Sequence, residues 1–169
     1  MSQSQTANKI NAQFNRAYIS RQDFSEAYSY LHQLKRIRRE PTRRALLLAA
    51  VIAYCRPFSN NERTPQSLAV PSLPINPKNV LSLQEFELHT KLMKLRNTAL
   101  AHSDYNQKPI TRIVGNVHGV ATQSRPFDLL WVGIEVVLFL QLCQKFEWLC
   151  TEKIHELNRA LQAAETTGN

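Results

Sequence analysis

An amphipathic run that begins at Ser82 constrains the fold of this chain more than any other feature. Ser82 is followed three residues later by Glu85, which is the capping-box pattern at the start of a helix. Apolar residues then recur at steps of four, three and four, as one buried helix face requires; they are Leu88, Leu92, Leu95 and Ala99. The spacing predicts a helix from Leu83 to about His102.

A second stripe on the same predicted helix carries polar residues that could do chemistry. It has the same three- and four-residue spacing and consists of His89, Met93, Arg96, Leu100 and Ser103. Arg96 therefore lies at the edge between core and solvent, beside the polar Asn97. His102 lies at the predicted helix end.

The remaining apolar periodicity predicts an all-α fold, a bundle of four to five helices. The other three main helices are expected at about 21–37, from Pro41 to Arg56, and from about Phe127 to Ala164. Proline suits a first helical turn, since that position donates no intrahelical bond. A single helical domain would span 21–164, after a flexible arm over 1–20 and before a disordered tail over 165–169.

Two connections stand out between these helices. Residues 57–80 contain five prolines, so the sequence predicts a long irregular connection of the kind that often carries function. Residues 111–123 alternate β-branched and polar side chains around Gly115-Asn116 and His118-Gly119. This pattern predicts a small β-hairpin between the third and fourth main helices.

Composition excludes several classes of protein. The most apolar run, Leu129 to Leu142, is interrupted by polar residues and is shorter than the roughly 20 residues of a membrane span. We expect a buried helix there, with Trp131 and Trp148 in the core, and no membrane partner. The three cysteines are an odd number, which favours a reducing cytoplasm over a disulfide framework. No metal-ligand spacing and no phosphate-binding glycine loop is evident, so we expect neither metal nor cofactor.

Charge is distributed unevenly along the chain. Residues 1–125 carry 18 Lys and Arg against 7 Asp and Glu, and the remainder carries 3 against 6. The densest basic segment lies at a helix junction and consists of Lys35, Arg36, Arg38, Arg39, Arg43 and Arg44. Such a patch attracts phosphate-rich partners. A solvated helix end is the alternative, and the asymmetry favours nucleic acid.

The motif Arg96-Asn97-x-x-x-Ala101-His102 on the third helix of a small helical domain resembles the signature of the HEPN superfamily. Tyr54-Cys55-Arg56-Pro57-Phe58-Ser59 is similar to a segment of its abortive-infection branch. The resemblance implies a four- or five-helix bundle and a metal-independent endoribonuclease of toxin–antitoxin or antiphage systems. It also implies a homodimer, and an antitoxin protein as a possible partner.

These residue types suit RNA cleavage without a metal. The 2′-hydroxyl of RNA is the nucleophile, and histidine, which titrates near neutrality, serves as base or acid. Arginine holds phosphate oxygens with a planar fork, and Asn97 could orient His102 or donate to the phosphate. One histidine cannot be both acid and base in one turnover, so two motifs facing across a two-fold axis are expected.

A regular helix does not by itself bring Arg96 and His102 together. Six residues separate them by about 9 Å along the axis and about 120° around it. Convergence requires the arginine to reach forward, the helix to end near Ala101, or each site to mix residues of two subunits.

Further residues are candidates for binding the substrate. They are Arg56, His89, Ser103 and, in the basic segment, Arg38, Arg39, Arg43 and Arg44. The alternative for His89 is a satisfied boundary histidine, and the alternative for Arg56 is an ion pair. Tyr105 follows His102 by three residues, whereas a tyrosine two residues after the histidine is the modified one in related toxins, so that role is not transferred.

Two other functions remain open at this point. The chain could keep the HEPN fold without catalysis, as a helical module that binds RNA or a protein partner such as a nucleotidyltransferase. Alternatively, Arg96 could be a structural ion-pair partner in an unrelated helical protein. What distinguishes these hypotheses is whether Arg96 and His102 face an open cleft.

Overall fold

The computed structural model describes residues 3–59, 73–100, 110–114, 120–124 and 134–166. Within these residues the chain is predominantly helical, which confirms the predicted all-α class. The α-helices are α1 (Gln3–Leu34), α2 (Glu40–Cys55), α3 (Pro77–Val80), α4 (Leu83–Lys94) and α5 (Val136–Thr166). A 3₁₀ turn, Arg56–Phe58, follows α2, and a π-helical segment, Leu95–Leu100, follows α4.

Helix α1 begins much earlier than the sequence predicted. The expectation of a flexible arm over residues 1–20 is wrong, because α1 is helical from Gln3 onward. Arg16 is 5% exposed, and Ala17 and Ser20 are fully buried. A helix that buries small and polar side chains lacks the apolar stripe on which a sequence prediction relies. Its C-terminal end, Leu34, lies three residues before the predicted one.

Among the described elements, helices α1 and α5 make the most extensive contact, and they run antiparallel. Arg21 on α1 lies near Cys150 on α5. One turn later, Phe24 stacks on Phe146 with ring centroids 5.1 Å apart. With 32 and 31 residues, each helix is about 45–50 Å long. The pair therefore provides a frame on which the shorter helices pack.

An aromatic cluster fills the centre of the core. Phe24, Tyr54, Phe139 and Phe146 are fully buried, and Tyr54 meets Phe139 edge-on with centroids 5.3 Å apart. Such pairs add about 0.5–1.5 kcal/mol beyond the burial of their area. This cluster joins α1, α2 and α5.

Helix α2 follows its sequence signals closely. Pro41 occupies the first helical turn, and the α-helix ends at Cys55 before Arg56-Pro57. Arg56 keeps right-handed helical dihedral angles (φ −55°, ψ −45°), so the usual departure of the residue before proline from the helical region is not seen, and the chain continues as the 3₁₀ turn. Its buried face is formed by Leu47, Ala50, Val51, Ala53, Tyr54 and Cys55.

The predicted capping box at the start of α4 is confirmed. The Ser82 hydroxyl accepts from the Glu85 amide, and the Glu85 carboxylate accepts from the Ser82 amide at 2.8 Å. The same carboxylate accepts from Lys145 Nζ at 2.7 Å, so the helix start is tied to α5. The α-helix ends at Lys94, before the predicted end near His102, because the chain continues as a π-helix.

The remaining elements refine the predictions for the C-terminal half. Strands β1 (Ile110–Val114) and β2 (Val120–Ser124) pair antiparallel; residues 115–119, which would form the predicted turn, lie outside the described residues. Ile134 and Glu135 are not helical, so α5 begins at Val136 and continues unbroken to Thr166, into the stretch predicted to be a disordered tail.

The tryptophan prediction is wrong for Trp148. This side chain is 60% exposed, because it lies on the face of α5 turned away from the aromatic cluster, and Trp131 lies outside the described residues. Among the described helices, none combines the length and apolar character needed to cross a bilayer.

Candidate functional site

The π-helical segment at the end of α4 carries the first two residues of the motif. The guanidinium of Arg96 donates from Nη1 to Oδ1 of Asn97 at 2.9 Å. Arg96 is half-buried and Asn97 is exposed. A π-helix inserts an extra residue into a turn and is frequent at functional sites. The regular α-helical projection of Arg96 onto His102 therefore does not apply here; His102 and Ser103 lie outside the described residues.

Arg96 makes no ion pair within the part of the chain that the structure describes. Its one hydrogen bond there goes to the neutral amide of Asn97, which leaves other guanidinium N–H groups without a protein partner among those residues. The guanidinium lies close enough to buried Cys55 to act on it electrostatically. A half-buried, uncompensated cation at a helix end is suited to hold an anion.

Arg56, by contrast, is paired. Its Nη1 donates to Asp23 at 2.9 Å and to Glu26 at 2.7 Å, both on α1. The hydroxyl of Tyr30 also donates to Glu26 at 2.6 Å and lowers the pKa of that carboxyl. Of the two roles open to Arg56, the ion pair is the one observed, and these carboxylates oppose the approach of a phosphate. Neither acidic partner was anticipated from the sequence.

Arg16 is a buried arginine that the sequence analysis missed. Its Nη2 donates to the carbonyl oxygens of Arg56, Pro57 and Ser59 at 3.2, 2.7 and 3.2 Å. Carbonyls that end a helix have no intrahelical donors, so Arg16 caps the end of α2 and the 3₁₀ turn. Burial lowers the pKa of Arg16. Because residues 1–20 were predicted to form a flexible arm, the capping role of Arg16 was not anticipated.

His89 is a buried histidine with a defined partner. It is 8% exposed, and its Nδ1 lies 2.9 Å from the hydroxyl of fully buried Tyr54. Phe58 packs edge-on against its ring at a centroid distance of 4.7 Å. Burial lowers the pKa of His89 to about 4, so the ring is neutral near pH 7 and does not bind phosphate as a cation. The sequence left open a histidine at the core boundary that has a hydrogen-bond partner, and the structure shows one such partner, the Tyr54 hydroxyl at Nδ1.

His89 also lines a cavity, which we call the His89 cavity. Its volume is about 560 Å³, within the range of about 300–1,000 Å³ usual for small-molecule sites. Its lining comprises Pro57, Phe58, Leu73, Pro74, Ile75, Asn76, Pro77, His89 and Met93. His89 and Met93 belong to the stripe that continues to Arg96, as the sequence spacing indicated. A second depression of about 400 Å³ between the α3 region and α5 shares the wall from Pro74 to Asn76.

The basic segment lies at the junction of α1 and α2. Lys35, Arg36, Arg38 and Arg39 are exposed in the connection between the helices. Arg43 and Arg44 on α2 are half-buried and engaged: Arg43 donates to the Ile37 carbonyl at 3.3 Å, and Arg44 pairs with Glu40 at 2.7 Å. The four candidate arginines of this segment therefore divide into an exposed pair and an engaged pair.

The cysteines behave as small core residues. All three are buried and free of disulfide bonds, and burial raises the pKa of Cys55 and of Cys150 to about 12. Thiols in this state are poor nucleophiles. Among the side chains that the structure describes, no group of three or more His, Cys, Asp and Glu is placed to hold a metal ion.

Comparison with known protein families, with curated proteins and with solved structures finds no match to this chain.

Proposed function

We propose that this protein is a HEPN-type endoribonuclease that cleaves RNA without a metal ion, as a toxin or antiphage effector. The observation that carries the proposal is the motif pair Arg96–Asn97. Arg96 is half-buried, its guanidinium donates to the adjacent amide at 2.9 Å, and it has no carboxylate partner among the described residues. Within the part of the chain that the structure describes, Arg96 has no acidic partner of the kind that Arg56 has, which does not favour a structural ion-pair role.

The proposed chemistry assigns one role to each motif residue. His102 removes the proton from the ribose 2′-hydroxyl, whose oxygen attacks the adjacent phosphorus as the bond to the 5′-oxygen breaks. Arg96 neutralises the charge that builds on the phosphate oxygens. Asn97 orients the guanidinium of Arg96 through its side-chain oxygen. The products are a 2′,3′-cyclic phosphate and a 5′-hydroxyl, which receives its proton from a second acid.

The second acid is the reason to propose a homodimer. A His102 from each of two copies, facing across a two-fold axis, would supply base and acid together. A toxin of this kind also needs a neutralising partner, so an antitoxin protein belongs to the proposal. The alternative function is a non-catalytic HEPN-like module that binds RNA or a protein partner, including a nucleotidyltransferase; the exposed cations of the α1–α2 connection favour RNA binding in either case.

The test compares RNA cleavage by the parent protein with that by His102→Ala and Arg96→Lys, in EDTA. His102→Ala should cleave about 10²–10⁴-fold more slowly, because a positioned acid/base group is lost, while RNA affinity changes little. Arg96→Lys keeps the charge but loses the planar fork, so it should bind RNA yet cleave poorly. The cleaved ends should carry a 2′,3′-cyclic phosphate.

His155→Ala is the matched control, since His155 is an exposed histidine on α5 that the proposal does not use. It should cleave like the parent. Cleavage that requires a divalent metal, or a His102→Ala protein as active as the parent, would contradict the mechanism. RNA binding without cleavage in all variants would favour the non-catalytic module.

A further inference from the structure

We infer that the His89 cavity holds an unpaired nucleobase of the RNA, and that it selects a base with carbonyl acceptors, uracil or guanine, over adenine. This inference rests on the proposed function and adds a base-recognition site to it.

The position of the cavity relative to Arg96 is the first argument. Met93 lines the cavity, and Arg96 is three residues further along the chain, where the π-helical segment Leu95–Leu100 follows α4. A cation for the phosphate therefore lies next to a concave site for the attached nucleoside. Sequence-specific recognition of RNA commonly uses single-stranded bases that leave their stack and enter such sites.

The lining of the cavity suits a base and not a phosphate. Among the described residues that line it, none is a Lys or Arg. The ring of Phe58, the thioether of Met93 and the prolines provide apolar and aromatic surface, on which bases pack favourably. Phosphate would require a cation, and the nearest motif cation lies beyond the cavity at Arg96.

Tyr54 determines which hydrogen-bonding group His89 offers. The hydroxyl of Tyr54 is fully buried and has His89 Nδ1 as its partner, at 2.9 Å. A buried hydroxyl proton needs an acceptor, so Tyr54 donates to Nδ1 and the proton of the neutral imidazole resides on Nε2. Nε2 has no partner among the described residues. His89 is more than nine-tenths buried and thus offers the cavity one unpaired N–H donor.

Asn76 supplies a second donor to the same cavity. Its Oδ1 accepts from the Lys78 amide at 3.1 Å as the N-cap of α3, and this leaves the Nδ2 protons available. Two donors match a base that offers acceptors, such as the carbonyl oxygens of uracil or O6 and N7 of guanine. Adenine presents its exocyclic amino group as a donor and fits them less well.

The test is a titration of the full-length His102→Ala protein, labelled with ¹⁵N-histidine, with uridine, guanosine and adenosine. These nucleosides carry no phosphate, so they probe the cavity alone. The free protein should show the Nε2–H tautomer of His89, and uridine or guanosine should shift its resonance in a saturable manner. Adenosine should bind about tenfold more weakly, as expected for lost hydrogen bonds. No shift with any nucleoside, or equal affinity for all three, would overturn the inference.

Met93→Phe provides a variant that fills the cavity and leaves His89 and Tyr54 unsubstituted. It should weaken uridine or guanosine binding by about tenfold or more, and its thermal unfolding should confirm that it folds. Leu83→Phe is the matched control, because Leu83 lies on the same helix and is 77% exposed. It should bind like the parent, and a Met93→Phe protein that also binds like the parent would count against the cavity.

Cleavage by the otherwise unmutated chain separates this inference from the proposed function. With RNAs that differ in one unpaired base next to the scissile bond, the parent should cleave beside uracil or guanine faster than beside adenine. Cleavage without base preference, unaltered in Met93→Phe, would remove the cavity from the mechanism and leave the proposed function intact. Saturable nucleoside binding without any RNA cleavage would support the base-binding cavity and contradict the proposed function.

Discussion

Three arginines in this protein occupy three different environments, and the environment decides what each can do. Arg16 is buried and caps backbone carbonyls, and Arg56 bridges two carboxylates of α1. Arg96 is half-buried and, among the described residues, contacts one neutral amide. The first two stabilise the fold, and under the proposed function the third binds the phosphate of the RNA. Sequence alone separated them poorly, because the partners of Arg16 and Arg56 are distant in the chain.

The role of Arg16 predicts a large loss of stability on its removal. Arg16→Met keeps much of the side-chain volume but removes the guanidinium that donates to three carbonyl oxygens, of which the Arg56 oxygen keeps the Ser59 amide as a donor. Hydrogen bonds that involve a charged group contribute about 1.5–3 kcal/mol each and are not additive, so we expect a loss of about 3 kcal/mol in the free energy of unfolding. Urea denaturation would measure it.

Arg21→Met is the control for this prediction. Arg21 is half-buried on α1, and its guanidinium lies 5.4 Å from the ring of Tyr18. We expect a loss below about 1 kcal/mol, since such an interaction is weak in water. If Arg16→Met and Arg21→Met lower the free energy of unfolding equally, the hydrogen bonds of Arg16 to the backbone do not have the expected stabilising role.

Because His89 is buried, we expect the stability of the folded protein to depend on pH. Burial lowers its pKa in the folded protein to about 4 from the ordinary value of 6.5. Between these values the unfolded chain binds the proton and the folded protein does not, so stability falls as the pH is lowered through this window. The loss should approach about 3 kcal/mol, by thermal or urea unfolding at several pH values.

His89→Gln removes the titration and retains a polar partner for Tyr54. The variant should be less stable than the parent near pH 7, yet its stability should change less between pH 6.5 and pH 4. If parent and variant lose stability in parallel over this window, another group is responsible for the pH dependence.

At the scale of elements, the connection between α1 and α2 presents the exposed cations that a nucleic acid would meet. Replacing Arg38 and Arg39 with Gln should lower RNA affinity and reduce the salt dependence, by up to about 0.7 units of slope for each lost contact to single-stranded RNA. Binding measured over a series of salt concentrations gives both quantities.

The engaged pair of arginines is the internal control for the exposed pair. Arg43→Gln with Arg44→Gln removes the same formal charge, but these side chains already contact Ile37 and Glu40. We expect the salt dependence of RNA affinity to change less than it does when Arg38 and Arg39 are replaced. If neither double substitution alters affinity or slope, the segment is a solvated helix end.

The sequence predicted elements well where local rules apply. The capping box at Ser82 and Glu85, Pro41 in the first turn of α2 and the stop at Cys55 depend on neighbouring residues, and all are confirmed. The N-terminal half of α1 depends on packing against α5 and was missed. The π-helical segment was missed because hydrophobic spacing does not distinguish one extra residue in a turn from a regular helix.

At the scale of the molecule, the long antiparallel pair of α1 and α5 forms a frame, and α2 and α4 present the candidate site. For the site itself, the sequence placed Arg96 and Asn97 at the edge of the core and grouped His89 with Met93 on one stripe. It gave no sign of Tyr54 as the partner of His89, or of Asp23 and Glu26 as partners of Arg56. Such contacts join residues 30 or more positions apart, which a local pattern does not encode.

Assembly is the prediction that belongs to this scale. If two copies of the motif provide base and acid, the protein should be a two-fold dimer with the motif helices near the axis. Light scattering at micromolar concentration should give twice the mass of the 19.4 kDa chain. A monomer that still cleaves RNA would contradict the shared-site arrangement.

The π-helical segment has a further consequence for how this chain tolerates changes in length. Because Leu95–Leu100 already accommodates one residue more than a regular helix would, deletion of a single residue there is the change that would restore uniform α-helical winding. Such a deletion would keep Arg96 and Asn97 in the sequence but turn the direction in which the chain leaves the helix by about 100°. The number of residues in this segment, and not only the identity of its side chains, therefore determines the direction of the chain that follows Arg96 and Asn97.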